Sequence, residues 1–507
     1  MSLRASRTKR TANFAEALLA FSAGALATLA FAPYQWSWLA IVSQGLLFIL
    51  LQKPSLTPVR AMGLGWLYGA GLFVTGIYWI STSMEVFGVS QPLISIGAML
   101  MLVSIMSFYP ALFAYLSVKF FQGGVRTLLG IPALWTLIEW LRGWLFTGFP
   151  WLALGYSQTD GILRGLAPVL GVYGLSWCIA FTAVCLLWCW RWEGKGRLAS
   201  LGFLVVLWGG AGLLSDIDWT VRDGSALDIA LVQGNIEQHT KREPAQQDAT
   251  LARYAALTEP LWGQADLVVW PETSLPFVSD LIAPYLNALH ERGQMSRTDI
   301  LVGILAREPG NTSIYNGLLS YGGGRGAYYK QHRVPFGEYI PLRWLLGGPL
   351  EALGISMFDL AAGKDPKPLL RVAGMTIGAS ICYEDVFGEE VIKALPEAAL
   401  LVNVSNDAWF GDSIAPHQHL QMARMRALET GRYLVRATNT GISAAIAPDG
   451  RIVTQSPQFQ THVLRATVWG YQGMTPYARF GNGLVVITLS ICLGLAVFGP
   501  RLPRRRA

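Results

Sequence analysis

The chain has 507 residues, of which 52% are hydrophobic and only 14% are charged, and it contains 19 tryptophans. This composition excludes an ordinary soluble domain and indicates a membrane protein. The net charge of +7 comes mostly from Lys and Arg clustered between apolar segments, so we do not interpret it as a sign of nucleic-acid binding.

Apolar windows of about 17 to 28 residues fit helices that cross a bilayer. We predict eight spans, at residues 14–31, 36–52, 61–82, 92–118, 127–146, 165–190, 198–214 and 483–500. The first two are short and are joined only by Ala32-Pro-Tyr-Gln35, which predicts a tight hairpin. The first window lacks a clear small-residue cleavage site, so we expect it to remain as a helix rather than to be a cleaved signal peptide.

Basic residues cluster on one side of these predicted spans. They are Arg4, Arg7, Lys9, Arg10, Lys53, Arg60, Lys119, Arg126, Arg191, Lys195, Arg197, Arg501, Arg504, Arg505 and Arg506. The loops on the other side carry almost none apart from Arg142 and Arg164. Since positive charge marks cytoplasmic loops, both termini are predicted to be cytoplasmic and the polar segment to face away from the cytoplasm.

Three regions follow from this pattern: spans one to seven at 1–217, an exported domain at 218–480, and the last span with a basic tail at 481–507. Within the exported domain, strand-like and helical segments alternate, which predicts an α/β fold with helices covering a sheet. Predicted strands are Leu227–Gln233, Asp266–Trp270, Asp299–Leu305, Met375–Ile381 and Ala399–Val404. Predicted helices lie at 245–262, 278–292 and 416–430, and Ala447-Pro-Asp-Gly450 predicts a late hairpin with Ile452-Val453 as its return strand.

Polar residues stand just beyond three strand-like segments: Glu272 in Trp-Pro-Glu-Thr, Lys330 after Ala-Tyr-Tyr, and Cys382 after Met375–Ile381. Active sites of open α/β sheets lie at such strand ends. A carboxylate base, a cation for an oxyanion and a thiol nucleophile together suit covalent catalysis. Taken singly, each has a plainer explanation as a solvated cap, a surface charge or a buried small hydrophobe.

Cys382 has no cysteine partner within 218–480. The other four cysteines, which lie in apolar segments, are Cys178, Cys185, Cys189 and Cys492. A disulfide within the polar domain is therefore excluded by counting.

Three segments, Trp270-Pro-Glu-Thr273, Lys330-Gln-His-Arg-Val-Pro-Phe-Gly-Glu338 and Ile381-Cys-Tyr-Glu384, resemble the Glu, Lys and Cys motifs of the nitrilase (carbon–nitrogen hydrolase) superfamily. Together with the flanking spans, they are similar to a membrane-bound branch, the apolipoprotein N-acyltransferase family. The resemblance extends to Gly148–Leu152, Gln233–Ile236, Asn406–Gly411 and Gln421–Leu428. It implies a polytopic helical membrane bundle that carries an exported nitrilase-like αββα sandwich domain.

The resemblance implies a ping-pong acyl transfer in the bacterial inner membrane, with the domain in the periplasm. Cys382 would take an acyl chain from a phospholipid as a thioester and pass it to the α-amine of a diacylglyceryl-cysteine on an apolipoprotein. Glu272 would be the base and Lys330 the oxyanion stabiliser. Glu338, Tyr383 and Glu384 match supporting residues. No cofactor and no metal is implied.

Aromatic segments provide candidate lids that would touch lipid and exclude water, namely Trp409-Phe410 and Trp344; the alternative is that they are ordinary core or loop residues. Glu139 and Arg142 lie near the outer end of the fifth predicted span. They have either an intramembrane function or simply pair with each other. The family often has an aromatic after Lys241, where this chain has Arg242, so no lipid-contacting aromatic is expected there.

The sequence lacks the patterns of a metal site, a nucleotide-binding loop and a serine hydrolase. His417-x-His419 has no obvious third metal ligand, Gly322–Gly326 is not a P-loop and predicts a hairpin loop, and no G-x-S-x-G occurs. Two alternatives stay open: a membrane-tethered amidohydrolase, in which water resolves the acyl-enzyme, and a transporter or scaffold with an inactive nitrilase-like domain.

Overall fold

The computed structural model describes residues 2–89, 91–191, 194–307, 310, 312–352 and 359–498. The chain forms two compact units. One contains Met1–Ser81, Gln91–Ile217 and Phe480–Ala507, and the other contains Thr82–Ser90 and Asp218–Arg479. The predicted basic tail, with Arg501 and Arg504–Arg506, lies outside the described residues.

The helices follow one another along the chain as α1 (Ser2–Thr28), α2 (Trp38–Leu51), α3 (Pro58–Gly76), α4 (Trp79–Phe87), α5 (Pro92–Phe120), α6 (Val125–Arg142), α7 (Ala167–Arg191), α8 (Lys195–Leu214), α9 (Gln238–Arg242), α10 (Gln247–Thr258), α11 (Ala283–Ser296), α12 (Arg343–Ala352), α13 (Gly388–Val391), α14 (Ala415–Thr430), α15 (Pro476–Phe480) and α16 (Gly483–Phe498).

The strands are β1 (Val221–Gln233), β2 (Leu267–Val269), β3 (Leu275–Val278), β4 (Asp299–Arg307), β5 (Ile314–Tyr321), β6 (Gly326–Tyr329), β7 (Leu369–Val372), β8 (Met375–Ile381), β9 (Leu400–Ser405), β10 (Leu434–Thr438), β11 (Ala444–Ile446), β12 (Ile452–Gln455) and β13 (His462–Gln472).

The helical unit contains a helix at each of the eight predicted apolar windows. Three helical segments are long and apolar enough to cross a membrane by length and composition, Pro92–Phe120, Ile162–Trp190 and Lys195–Leu214. A fourth is present if α3 and α4 form one span, and the segments Ala12–Thr28, Trp38–Leu51 and Gly483–Phe498 are apolar but shorter. The count of eight spans therefore remains a prediction, as does their orientation.

The third predicted span, at 61–82, is wrong as a single straight helix. Helix α3 ends at Gly76, and α4 begins at Trp79 with a bend of 53°. The part of α4 from Thr82 onward is grouped with the second unit. Hydropathy alone did not show this break because the sequence stays apolar through Ile77-Tyr-Trp-Ile80.

Glu139 and Arg142 are buried, and both hold the chain that follows α6. Arg142 Nη1 donates to the carbonyl oxygens of Phe149 and Trp151, each at 2.6 Å. The backbone N–H of Leu154 donates to Glu139 Oε1 at 3.0 Å. Since unpaired backbone groups are costly in an apolar environment, these two charges stabilise an irregular buried segment. Neither of the two sequence-based interpretations foresaw this role.

The second unit is a sandwich of two sheets. Among the described residues one sheet has the order β13-β1-β2-β4-β5-β6, with β3 paired to β4, and the other has the order β12-β11-β10-β9-β8-β7. The β1, β2 and β4 strands run parallel, as do β8, β9 and β10. This confirms the predicted mixed α/β domain and all five predicted strands within it.

Apolar residues explain the layering. Side chains of both sheets share one core, including Leu231, Val269, Ile377 and Val402. The opposite face of the first sheet packs on α10 and α11, and that of the second sheet packs on α14. The result is the expected αββα arrangement. Helix α10 continues into a 3₁₀ turn at Glu259–Leu261, so the predicted helix 245–262 is confirmed with a break near its end.

Both predicted hairpins are present. Strands β11 and β12 pair antiparallel around the turn at 447–450, and β5 and β6 pair antiparallel around the glycine-rich loop at 322–325. The link predicted at 476–482 contains the short helix α15.

Strand β13 was not predicted. It pairs with β1 over eleven positions from Val221 to Gln233. The sequence pattern did not show it, because its apolar and polar residues alternate irregularly and it is only partly buried.

Candidate active site

The three residues singled out at strand ends lie in one site. Glu272 follows the parallel strand β2, Cys382 directly follows β8, and Lys330 directly follows β6. Lys330 Nζ lies 3.5 Å from Glu272 Oε1. The thiol of Cys382 interacts electrostatically with both of these groups. Strands from both sheets therefore bring one carboxylate, one ammonium and one thiol together.

Lys330 is buried between two carboxylates. Its Nζ donates to Glu338 Oε1 at 2.9 Å in addition to its contact with Glu272. Burial by itself would lower the pKa of Lys330, but the negative charges of Glu338 and Glu272 outweigh it and raise the pKa above its ordinary value. The ammonium is therefore permanently charged. The predicted supporting residue Glu338 belongs to the site and also accepts from the Val334 N–H at 2.7 Å.

Asn316 completes this group, and the sequence analysis missed it. Its Nδ2 donates to Glu272 Oε1 at 2.6 Å and to Glu338 Oε1 at 3.1 Å. It lies within β5, and only 3% of its surface is exposed. A buried amide in the strand-like segment Ile314-Tyr-Asn-Gly-Leu318 was the available signal, because polar groups inside a sheet must be bonded.

The second oxygen of Glu272 is held by the chain that follows β9. The backbone N–H of Asn406 donates to Glu272 Oε2 at 2.8 Å. The Oδ1 atom of Asn406 accepts from Lys241 Nζ at 3.4 Å. Burial lowers the pKa of Lys241 to about 7, although the charge of Glu272 partly opposes this shift. A second buried amine, with a pKa near neutral pH, thus lies near Glu272.

Cys382 occupies a sharp turn between β8 and a 3₁₀ turn at Cys382–Val386, with φ of 52°. Such a left-handed conformation costs a non-glycine residue about 1–2 kcal/mol, so the surrounding structure must enforce it. Burial, and then the charge of Glu272, raises the pKa of the thiol, while Lys330 lowers it. The net shift is upward, so the resting thiol is protonated at neutral pH and a base must take its proton during attack.

Glu384, predicted as a residue beside the nucleophile, connects the Lys and Cys motifs. Its carboxylate accepts from Tyr328 Oη, from the backbone N–H groups of Gln331 and His332, and from that of Ile381, at 2.6–3.1 Å. Burial raises its pKa to about 7, against the opposing effects of Lys330 and these donors. The position of Glu384 therefore fixes the distance between the two motifs.

Tyr383 lies next to the nucleophile, and 9% of its surface is exposed. Its ring packs edge-on against Phe387, with centroids 5.0 Å apart, and against His332 at 5.7 Å. The structure thus places all three predicted supporting residues around the triad.

The three candidate lid residues lie on two different elements. Trp409 and Phe410 belong to a 3₁₀ turn at Asp407–Phe410, directly after β9, and are partly buried. The Trp409 ring packs on Phe87 of α4 with centroids 5.6 Å apart. Trp344 lies on α12 with 82% of its surface exposed.

Comparison with known proteins first gives the class of the sandwich domain. A family profile described as "Carbon-nitrogen hydrolase" matches residues 228–470, so the sandwich is a carbon–nitrogen hydrolase domain. A CN-hydrolase superfamily protein of known structure from Xanthomonas campestris is 21% identical, with a TM-score of 0.36, and the match covers 55% of this chain and 99% of that one.

A second profile, described as "Apolipoprotein N-acyltransferase N-terminal domain", matches residues 23–185. The apolipoprotein N-acyltransferase of Methylococcus capsulatus is 43% identical over 483 residues, which cover 94% of this chain and 95% of that protein. The protein of the same name from Nitrosomonas europaea is 41% identical over 96% of this chain and 98% of its own. This chain belongs to the apolipoprotein N-acyltransferase family.

Proposed function

We propose that this protein transfers an acyl chain from a phospholipid to the N-terminal α-amine of a diacylglyceryl-cysteine on apolipoproteins, through a thioester on Cys382. The observation that carries the proposal is the buried Lys330 ammonium, which is bonded to Glu338 and Glu272 at the strand ends that also present the Cys382 thiol. Family membership supports the choice of substrates. The inactive-domain alternative is disfavoured because a domain without chemistry has no reason to bury this charged set.

Formation of the acyl-enzyme requires a base. Cys382 Sγ attacks the ester carbonyl carbon, and its proton passes to Glu272. Lys330, whose ammonium is held in position by Glu338, stabilises the charge that develops on the carbonyl oxygen. When the tetrahedral intermediate collapses, the ester C–O bond breaks. Glu272 returns the proton to the departing lysophospholipid oxygen, which leaves the acyl chain on sulfur.

The second half-reaction uses the same groups in the opposite sense. The α-amine of the acceptor attacks the thioester carbonyl and gives a proton to Glu272. Lys330 again stabilises the oxyanion, and collapse breaks the C–S bond. The proton on Glu272 then returns to Cys382 as the amide is released. A thioester suits this step because it is less resonance-stabilised than an oxygen ester, whereas the amide product is more stable than either.

The setting proposed for this reaction is the inner membrane of a bacterium. Eight membrane crossings, cytoplasmic termini and a periplasmic catalytic domain are supported by the distribution of Lys and Arg between the apolar segments. Both substrates carry acyl chains, and exposing each CH₂ group to water costs about 0.8 kcal/mol. A catalytic domain joined to apolar helices at both of its ends can meet them without extracting them from lipid.

The decisive experiment is intact mass spectrometry of the purified protein after incubation with phosphatidylethanolamine and no acceptor. We expect a mass increase of one acyl chain, absent from folded Cys382→Ala protein and discharged by a diacylglyceryl peptide with a free N-terminus. Discharge by water as fast as by the peptide identifies a hydrolase instead of an acyltransferase. Failure of the folded protein to form any adduct contradicts the nucleophilic role of Cys382.

The variant Cys382→Ser provides a second test. We expect it to be nearly as inactive as Cys382→Ala, because the serine alkoxide is harder to generate and an oxygen ester is slower to react with an amine. A normal rate of amide formation by Cys382→Ser contradicts the thioester mechanism.

A further inference from the structure

A cluster of four buried ionisable residues lies behind the nucleophile, and the mechanism above does not use it. We call it the anchor cluster; its members are Asp385, Asp407, His419 and Arg436, each no more than 2% exposed. They come from four elements: the turn that begins with Cys382, the turn that carries Trp409 and Phe410, helix α14 and strand β10. Residues far apart in the chain therefore meet in one place.

Arg436 is bonded to both carboxylates of the anchor cluster. Its Nη1 donates to Asp385 Oδ2 at 2.9 Å, and its Nη2 donates to both oxygens of Asp407 at 3.1 Å. His419 lies between the same pair, and its Nε2 is 2.9 Å from Asp385 Oδ1. Its Nδ1 accepts from Arg436 Nη2 at 2.7 Å, because a guanidinium only donates, and lies 3.3 Å from Asp407 Oδ1. Two carboxylates thus face a guanidinium and an imidazole. Such pairing offsets the desolvation free energy of burying the charges.

The charged groups of the anchor cluster shift one another's pKa values. Burial and the neighbouring Arg436 would lower the pKa of His419, but Asp385 and Asp407 outweigh them, and the net shift is upward. Burial would raise the pKa of Asp407, but Arg436 and His419 hold it below its ordinary value. With Nδ1 accepting from Arg436 and Nε2–H donating to Asp385, His419 links the guanidinium to that carboxylate, which favours one fixed arrangement.

Two hydrogen-bonded paths connect the anchor cluster to Cys382. Arg436 Nη1 donates to Asn403 Oδ1 at 2.8 Å, and Asn403 Nδ2 donates to the Cys382 carbonyl at 3.4 Å. Ser405 Oγ donates to Asp407 Oδ1 at 2.7 Å, and the Ser405 hydroxyl is also a hydrogen-bond partner of the Cys382 thiol. Contacts at the backbone and at the sulfur therefore hold the strained φ of 52° at the nucleophile.

The anchor cluster also contacts the 3₁₀ turn at Asp407–Phe410. Asp407 is the first residue of that turn, and the Phe410 ring lies edge-on to His419 with centroids 6.1 Å apart. The same four side chains thus contact the segment that bears the thiol and the segment that bears two candidate acyl-contacting aromatics.

We propose that the anchor cluster positions the Cys382 turn and the Trp409-Phe410 turn as one unit, with Arg436 and His419 as positioning residues for acyl-enzyme formation. The part that concerns acyl transfer rests on the proposed function. The part that concerns the placement of the thiol does not, and it is tested separately. Because misplacement of a reacting group by about 1 Å costs about 10²-fold in rate, loosening the anchor cluster has a measurable kinetic effect.

Arg432 is a matched control for Arg436. It is also fully buried, but its guanidinium donates to the backbone carbonyls of Ala398, Thr430 and Gly473. A change from Arg to Lys at either position keeps the positive charge and removes the planar fork of donors. Arg432→Lys therefore reports the general cost of altering a buried arginine, and Arg436→Lys adds the loss of the anchor cluster.

The first measurement is the rate at which iodoacetamide alkylates Cys382, followed by peptide mass spectrometry so that other cysteines do not contribute. The second is the rate of acyl-enzyme formation from phosphatidylethanolamine in detergent micelles, and the third is the thermal midpoint. For Arg436→Lys we expect both rates to fall by about 10- to 100-fold, with a loss of thermal stability similar to that of Arg432→Lys. The control is expected to keep both rates within about twofold.

The variant His419→Gln keeps the proposal testable if Arg436→Lys does not fold. Because it removes one of the two links between the carboxylates, we expect both rates to fall by a smaller factor, about 3- to 10-fold. Alkylation at the wild-type rate in folded Arg436→Lys or His419→Gln protein overturns the proposal, as does an equal loss of rate in Arg432→Lys. If wild-type protein forms no acyl-enzyme but the alkylation differences persist, the proposed function fails and the positioning role stands.

Discussion

Lys330 lies closer to Glu338 than to Glu272, with Nζ–Oε1 distances of 2.9 Å and 3.5 Å. The shorter contact makes Glu338 the main partner that holds the ammonium. In the proposed mechanism, Glu272 is then available to exchange protons with Cys382. The two carboxylates that contact this lysine would therefore have different roles.

The first prediction concerns Glu338→Gln. Loss of this charge removes the closer partner of Lys330, so we expect the ammonium to move toward Glu272. Acyl-enzyme formation should then slow by about 10²-fold, which is the effect of losing one oxyanion donor. Rapid-quench mass spectrometry of the thioester measures this rate. The exposed Glu397, which pairs with Lys367, supplies the control Glu397→Gln. Equal rates in the two variants would show that Glu338 is not needed to hold Lys330.

The second prediction separates the two effects of Glu272 on the thiol. Burial raises the pKa of Cys382, and the negative charge of Glu272 raises it further. In Glu272→Gln the negative charge is absent, so the pH profile of Cys382 alkylation should shift to lower pH. Acyl transfer should fall by at least about 10²-fold, because the proposed base is gone. An alkylation profile that moves to higher pH would mean that Glu272 does not raise the thiol pKa.

The third prediction concerns the buried amine of Lys241. Its pKa is about 7 in the folded protein against an ordinary value of 10.5. Between these values the unfolded chain holds a proton that the folded chain does not, so stability rises with pH across this window. Below about pH 7 both states are protonated and the cost of burial is fully present.

Lys241→Met should therefore raise the thermal midpoint at pH 7 by about 2–4 °C, and its advantage over the wild type should shrink as pH rises toward 10. Melting curves followed by tryptophan fluorescence from pH 7 to pH 10 measure this. The exposed Lys364 provides the control Lys364→Met, for which a flat difference is expected. An advantage for Lys241→Met that grows with pH would contradict the lowered pKa.

The fourth prediction addresses the helical unit. Arg142→Met leaves the carbonyl groups of Phe149 and Trp151 without their donor in a buried segment, which costs about 1–3 kcal/mol for each unsatisfied group. The thermal midpoint is expected to fall by several degrees. Lys119 is basic and exposed at the end of α5, and Lys119→Met should have little effect. A midpoint for Arg142→Met equal to that of Lys119→Met would show that the loop does not depend on Arg142.

The fifth prediction distinguishes the two elements that carry candidate lid residues. Trp409 packs on Phe87 next to the site segment that begins at Asn406, whereas Trp344 is largely exposed on α12. Trp409→Ala should raise the KM for phospholipid by about tenfold, since removal of a partly buried aromatic from a binding surface costs more than about 1 kcal/mol. Trp409→Phe, which retains an aromatic ring, is the matched comparison. An unchanged KM in Trp409→Ala would show that this turn does not bind the phospholipid donor.

Sequence patterns were enough to locate the proposed reacting groups along the chain. Buried strands appear as short apolar segments, and a polar residue at the end of such a segment stands out against them, as Cys382 does after Ile381 and Glu272 does after Trp270. The same reasoning missed Asn316, because one amide inside a strand resembles a tolerated polar substitution until its two carboxylate partners are in place. It also extended the third span beyond Gly76, because hydropathy records composition and not backbone direction.

By itself, then, the sequence determined the apolar segments, five strands of the sandwich and the positions of Glu272, Lys330 and Cys382 at strand ends, since each is a local pattern of residue types. Tertiary structure alone decided which carboxylate holds Lys330, how Glu384 joins the Lys and Cys motifs, and that Asp385, Asp407, His419 and Arg436 share one buried cluster. Those relationships depend on distances of a few ångströms between residues up to about sixty positions apart on different strands and helices. Such distances are set by how the two sheets pack, and no local pattern encodes them.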